Sequence, residues 1–173
     1  MEANESAVIV PIPEAEPAVG KYRASLDRTT AWGIPAHVSV IYPFLPPSRI
    51  GPREMSQLRE AVRSVPGFDV SFADVCWFDD RVVWLGSDPA DGFRALIDAV
   101  WAAFPQCPPY GGAFTTTVPH LTVGADGDLG AMSSAARAVA ASLPISASVG
   151  AARLFQGSEA TGGWRSVAEL PLG

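Results

Sequence analysis

The chain carries two histidines among its 173 residues, and each opens the same four-residue pattern: His37-Val38-Ser39-Val40 and His120-Leu121-Thr122-Val123. Both read histidine, apolar, hydroxyl, apolar. An apolar residue at every second position fits a strand with one covered face, and it does not fit a helix, whose apolar stripe recurs every three to four residues. Residues i and i+2 of a strand point to the same side of the sheet. Each motif is therefore expected to present an imidazole beside a hydroxyl on one face and two apolar side chains on the other. Two such strands brought together would supply a pair of imidazoles, enough for one general acid and one general base.

The segments around the motifs repeat as well. Residues 7–12 read as a strand ended by Pro13. Residues 17–28 read as a helix, with Val19, Tyr22 and Leu26 at helical spacing and Pro17 in the first turn, where its missing N–H is harmless. Gly33 and Pro35 break the chain before the first motif strand, 36–42, and Pro43, Pro46 and Pro47 follow it. A helix over 52–65 carries Met55, Leu58, Val62 and Val65 as one stripe and stops at Pro66-Gly67. Strands over 70–78 and 81–85 flank a turn at Asp79-Asp80. Asp88 and Pro89 are expected to cap and open a helix with the stripe Phe93, Leu96, Ile97, Val100, Trp101 and Phe104. A loop over 105–112 leads to the second motif strand, 117–124. A helix over 128–143 and strands over 145–155 and 164–170 complete the chain.

Strand, helix, motif strand, helix, strand thus runs from 7 to 78 and again from 81 to 155. Corresponding points are offset by 82 − 8 = 74, 120 − 37 = 83 and 145 − 70 = 75 residues. This order predicts an internal duplication within a single domain covering 1–173, with the motif strands facing each other across a cleft.

Composition narrows the partners. Hydrophobic residues make up 48% of the chain and charged ones 17%, which supports a buried core and excludes wholesale disorder. Net charge is 12 − 18 = −6. A protein that tracks nucleic acid needs a basic surface, because phosphate neutralisation dominates affinity. An extended nucleic-acid surface is therefore not expected, whereas a small pocket for one or two phosphates is compatible. Lys21 is the only lysine, and arginine suits forked phosphate contacts. Cys76 and Cys107 are too few for a disulfide framework or a zinc cluster and fit a reducing cytoplasm. The opening residues lack the basic and apolar regions of a signal peptide, and no apolar run is long enough for a membrane span.

With its two motifs, in Ala36-His37-Val38-Ser39-Val40-Ile41-Tyr42-Pro43-Phe44 and Val118-Pro119-His120-Leu121-Thr122-Val123-Gly124, the chain resembles the 2H phosphoesterase superfamily, and within it the bacterial 2′-5′ RNA ligase-like proteins, also called RNA 2′,3′-cyclic phosphodiesterases. The resemblance implies an α+β, bilobal fold: two pseudo-symmetric lobes, each with an antiparallel sheet and flanking helices, and a cleft between them. It implies metal-independent hydrolysis of 2′,3′-cyclic phosphates on nucleotides or short RNA, with 2′-5′ ligation in some members. Carried over by position, it makes His37, Ser39, His120 and Thr122 the catalytic residues. Ser39 stands where many relatives have threonine, which keeps the hydroxyl and loses a rigidifying methyl.

The chemistry fits these residue types. One imidazole takes the proton of an attacking water and the other protonates the departing ribose oxygen; an ordinary pKa near 6.5 makes both forms available. The hydroxyls can donate to phosphate oxygens as charge grows there. His37 is read as the acid and His120 as the base, with roles that swap when the substrate turns round. No metal or cofactor is expected. Arg165, Trp164, Trp32 and Arg153 are candidate substrate contacts, and Arg81 is a further one. Set against these, a solvated edge charge is the favoured reading for any one of the arginines. Tyr42 and Phe44, at odd spacing from His37, read as core, as do Trp77, Trp84 and Trp101. The alternatives are a phosphodiesterase for another cyclic phosphate such as an ADP-ribose cyclic phosphate, a 2′-5′ RNA ligase, and a non-catalytic nucleotide- or RNA-binding module.

Overall fold

In the computed structural model, which describes residues 2–114 and 116–173, the alternating segments become strands and the striped ones helices. The order is β1 (Glu5–Pro11), α1 (Glu16–Leu26), α2 (Arg28–Ala31), β2 (His37–Ile41), α3 (Pro52–Arg63), β3 (Phe68–Phe78), β4 (Val82–Asp88), α4 (Asp91–Ala103), β5 (His120–Ala125), α5 (Leu129–Ala140), β6 (Ile145–Val149), β7 (Ala151–Ser158) and β8 (Gly162–Pro171). The architecture is α+β. The strands form a single sheet in the order β6-β3-β4-β5-β2-β1-β7-β8. Every neighbouring pair is antiparallel. Two arrays of four strands meet where β2 touches β5, through one register pair, Val38↔Leu121. The array β6-β3-β4-β5 comes from one contiguous stretch, 68–149, whereas the other joins β1 and β2 from the start of the chain to β7 and β8 from its end, so β3 lies in the array of the second motif and not of the first.

The helices cover one face of this sheet. Val10, Val38, Val40, Leu85, Leu121 and Val123 face the stripes of α1, α3, α4 and α5 in one core cluster. α1 follows β1 yet packs on β5, and α4 follows β4 yet packs on β2, so the two helices cross-brace the junction. The apolar residues of both motifs, Val38, Val40, Leu121 and Val123, are 2% exposed or less. Burying each contributes roughly 1.5–3 kcal/mol. A one-residue slip would turn all four to the open face. The core therefore fixes which way the imidazoles point.

Several boundaries differ from the sequence reading. The helix over 17–28 stops at Leu26, because Asp27 is extended and its carboxylate accepts the Thr29 N–H at 3.0 Å, starting α2. The strand over 145–155 is broken at Gly150, and its halves lie in different arrays, β6 beside β3 and β7 beside β1. Asp88 ends β4 and caps nothing; α4 begins three residues later, behind Ala90. Trp101 drifts off the buried stripe and is 42% exposed. Among the described residues, no helix is long and apolar enough to cross a membrane.

Candidate active site

Side-chain burial along both motif strands alternates as the sequence pattern requires: His37, Ser39, His120 and Thr122 are half-buried, and the residues between them are closed. An antiparallel register through Val38 and Leu121 sets His37 opposite Thr122 and Ser39 opposite His120. Each imidazole thus has a hydroxyl beside it on its own strand and the other motif's hydroxyl across the junction. The two histidines form a diagonal pair, with Cβ atoms separated by somewhat less than about 7–8 Å at such a register.

The histidines share one orientation device. His37 Nδ1 lies 2.7 Å from the Pro35 carbonyl, and His120 Nδ1 lies 2.7 Å from the Val118 carbonyl. A carbonyl only accepts, so in each neutral ring Nδ1 carries the proton and donates it, and Nε2 keeps a free lone pair. Both rings are thereby prepared to take a proton at Nε2.

Behind His37 lies buried charge. Arg23 is 2% exposed. It pairs with Asp27 at 3.2 Å, donates to the Ile34 carbonyl at 3.1 Å and to the Thr29 hydroxyl at 3.2 Å. Glu16 accepts the Ala36 N–H at 2.7 Å. These contacts hold the approach to His37 from both sides. Burial pushes the His37 pKa down to about 4, and the Arg23 charge adds to this, against the opposing pull of the Pro35 carbonyl bond.

Around His120 lie rings. Tyr110 stacks on it at 6.0 Å with 21° between planes, and Phe78 and Trp84 meet it edge-on at 5.2 and 5.9 Å. Burial lowers the His120 pKa, opposed by its bond to Val118. Burial pushes the Tyr110 pKa up to about 12. A cleft of about 790 Å³ opens beside His120 and Thr122, with Phe78, Tyr110, Phe114, Arg81 and Asp126 in its walls. Phe114 is 68% exposed there.

The sequence reading missed these rings. Trp84, read as core, is half-buried on the motif face and pairs with Thr122. Its register to a motif hydroxyl could have exposed this, but register is not visible in one strand. Tyr110 sits in a turn, Pro109–Gly112, and no periodicity marks it.

The expected binding residues scatter. Trp32 and Trp164 stack on each other at 6.5 Å, and Trp164 is 5% exposed, walled by Tyr42 at 6.0 Å. Their faces are taken up in a small cluster with Ala7, Ile9, Ile34 and Phe155. Tyr42 corrects the odd-spacing argument. A bulge between Val8 and Ile9 lets Val40 and Ile41 both face the main core, which returns Tyr42 to the motif side of the sheet, where its hydroxyl donates to Glu159 at 2.6 Å. Phe44 is core, edge-on to Phe104 at 4.9 Å. Arg153 shares a face with Ile9 and through it with Ser39, and is ion-paired to Glu169 at 2.8 Å. Arg165, opposite Gln156, lines a separate depression of about 500 Å³ that holds none of the motif residues. Arg81 lines the histidine cleft, ion-paired to Asp126 at 2.8 Å. Among the described residues, no three His, Cys, Asp or Glu side chains gather as a metal site.

The family model of the 2′-5′ RNA ligase superfamily matches residues 11–160 of the chain. Among solved structures, E. coli LigT in its apo form is 21% identical, covers 99% of both chains and superposes with a TM-score of 0.63. TT0787 of Thermus thermophilus is 14% identical over 96% of this chain and 97% of its own, with a TM-score of 0.64. A further protein solved as a phosphoesterase is 19% identical over 98% of both chains, with a TM-score of 0.58. At these identities the structures show a shared fold. No curated protein matches the chain.

Proposed function

The chain belongs to the 2′-5′ RNA ligase superfamily of 2H phosphoesterases, and from that premise we propose that it hydrolyses 2′,3′-cyclic phosphate ends of nucleotides or short RNA, without a metal, by paired-histidine acid–base catalysis. The observation that carries this reading is the register at the junction, which brings two imidazoles with Nε2 lone pairs and two hydroxyls to one face of the sheet.

In this reaction a water oxygen attacks phosphorus while the bond from phosphorus to one ribose oxygen breaks. One imidazole accepts the water's proton at Nε2. The other, as imidazolium, gives its Nε2 proton to the leaving ribose oxygen. The product is a phosphate monoester, and one proton exchange with solvent resets the pair. Ser39 and Thr122 donate to the non-bridging oxygens, where charge develops. Both imidazoles have lowered pKa values in the free protein, so the acid forms as the anionic phosphate arrives: an opposite charge favours the protonated ring.

The cleft beside His120 has room for a nucleoside, and Tyr110 and Phe114 offer flat faces to a base. E. coli LigT has been solved with 3′-AMP, with ATP and with phosphate, ligands of the same chemical class as the proposed substrate and product. Hydrolysis is preferred to ligation, since a ligase must hold a second RNA end and this chain carries a net charge of −6. The test is incubation with the four 2′,3′-cyclic mononucleotides in excess EDTA, with products resolved by chromatography. Conversion to 2′- or 3′-monophosphate at the same rate as without chelator is expected. No turnover of any of the four, with or without EDTA, would remove the reading.

A further inference from the structure

The three residues before His37 leave no main-chain group unused. The Ile34 N–H donates to the Thr29 carbonyl at 3.1 Å, and the Ile34 carbonyl accepts from Arg23 at 3.1 Å. Pro35 has no N–H, and its carbonyl lies 2.7 Å from His37 Nδ1. The Ala36 carbonyl accepts from the Ile12 N–H at 2.8 Å. The remaining group, the Ala36 N–H, donates to Glu16 Oε1 at 2.7 Å, across 20 residues of chain. We propose that Glu16 is a positioning residue: by holding the Ala36 N–H it keeps the Pro35 carbonyl aimed at Nδ1, so that His37 presents a bare Nε2 to the substrate. The role rests on the phosphodiesterase reading above.

Three features of the structure support it. The first is peptide geometry. The Ala36 N–H and the Pro35 carbonyl are opposite ends of one planar peptide unit, which turns as a rigid body. Glu16 grips one end of it and His37 the other. Hydrogen bonds in such a chain polarise one another, so the carboxylate also makes the carbonyl a better acceptor. The His37 ring is uncharged at neutral pH, because burial pushes its pKa down to about 4. The seat of its one proton therefore decides whether Nε2 can accept another.

The second is the room made for the carboxylate. A Cβ at position 20 would stand 3.1 Å from Glu16 Oε2. Glycine in this helix interior is a poor helix former, and here it clears space for the side chain that reaches back to Ala36.

The third is the contrast with the other motif. The carbonyl that holds His120 belongs to Val118, and the nitrogen of that peptide unit is Pro119. A proline nitrogen carries no proton, so no acceptor can grip it. The clamp can exist at His37 alone.

The test is a crossed pair of variants. Glu16→Gln keeps the reach and an accepting oxygen and removes the charge. Glu16→Asp keeps the charge in the first turn of α1 and shortens the stem by one methylene, which withdraws the acceptor from Ala36. With two histidines in the chain, an imidazole nitrogen–proton correlation spectrum of the whole protein at pH 7.5 resolves both rings. Wild type and Glu16→Gln are expected to show His37 with its proton on Nδ1. In Glu16→Asp the share of His37 rings with the proton on Nε2 should rise to about a fifth or more, with His120 unchanged in all three proteins. On 2′,3′-cyclic AMP, Glu16→Asp is expected to lower kcat about tenfold with KM changed less than about twofold, and Glu16→Gln to restore kcat to within about threefold of wild type. An unchanged His37 signal in Glu16→Asp, a change shared by His120, or equal losses in Glu16→Gln and Glu16→Asp overturns the role. An inactive wild type whose His37 tautomer still depends on Glu16 defeats the phosphodiesterase reading and leaves Glu16 as the clamp of that imidazole.

Discussion

Behind His37 the protein places buried charge, and around His120 it places rings. The backbone treats the two alike: same motif, same strand start, same 2.7 Å bond from Nδ1 to the carbonyl two residues earlier. Main-chain geometry thus sets the tautomer of both imidazoles identically. What differs comes from the segments that precede each motif, α1 and α2 on one side and the turn 109–112 on the other, and from the neighbouring strands β3 and β4. A near-symmetric frame therefore carries two histidines in different surroundings, and burial lowers the proton affinity of both.

The largest expected effect tests whether both halves of that comparison are used. His37→Ala and His120→Ala should each lower kcat for a 2′,3′-cyclic mononucleotide by roughly 10²–10⁴-fold, since each removes one proton transfer. A variant that kept wild-type turnover would reduce the pair to a single working histidine.

Next comes the charged side. Arg23 compensates the Asp27 carboxylate, itself 6% exposed, and the Ile34 carbonyl. Replacing Arg23 with methionine strands both, and a loss of about 3–5 kcal/mol in urea unfolding is expected. A loss below about 1 kcal/mol would show that the charges behind His37 are solvated and have no part in holding its loop.

The smallest effect concerns pH. His37 has a native pKa of about 4 against an ordinary value of 6.5. Between those values the unfolded chain binds a proton that the folded chain does not. This contribution to stability is complete above pH 6.5 and is lost as pH falls toward 4. Urea midpoints measured from pH 7.5 to pH 5 should therefore fall more for wild type than for His37→Asn. Equal slopes would mean that His37 is as well solvated as a free imidazole, and the contrast between the two sides would narrow to shape alone.

Much of the fold was legible because its signals are local. Alternation identified both motif strands, and the stripe Phe93, Leu96, Ile97 and Val100 identified α4, all four now buried. The errors fall where a distant contact overrides a local pattern. Ile145 to Phe155 reads as one strand, but its two parts pair with β3 and β1, which belong to different arrays of the sheet. Tyr42 was assigned to the face opposite His37 by counting residues, and a bulge shifted the count by one, so it packs against the smaller apolar cluster on the motif side. Trp164 and Trp32 were read as candidate substrate contacts, and they stack on each other.

The sequence by itself determined which side chains share a face and that imidazole and hydroxyl would stand together twice. Both follow from the two-residue period of a strand, readable along the chain. Only the tertiary structure decided that His37 faces Thr122 and His120 faces Ser39, that Arg23 lies beneath one motif, and that Tyr110 stacks on the histidine of the other. Register, desolvation and ring packing depend on residues brought together from distant parts of the chain. Their energies come from burial against neighbours that no local window of sequence contains.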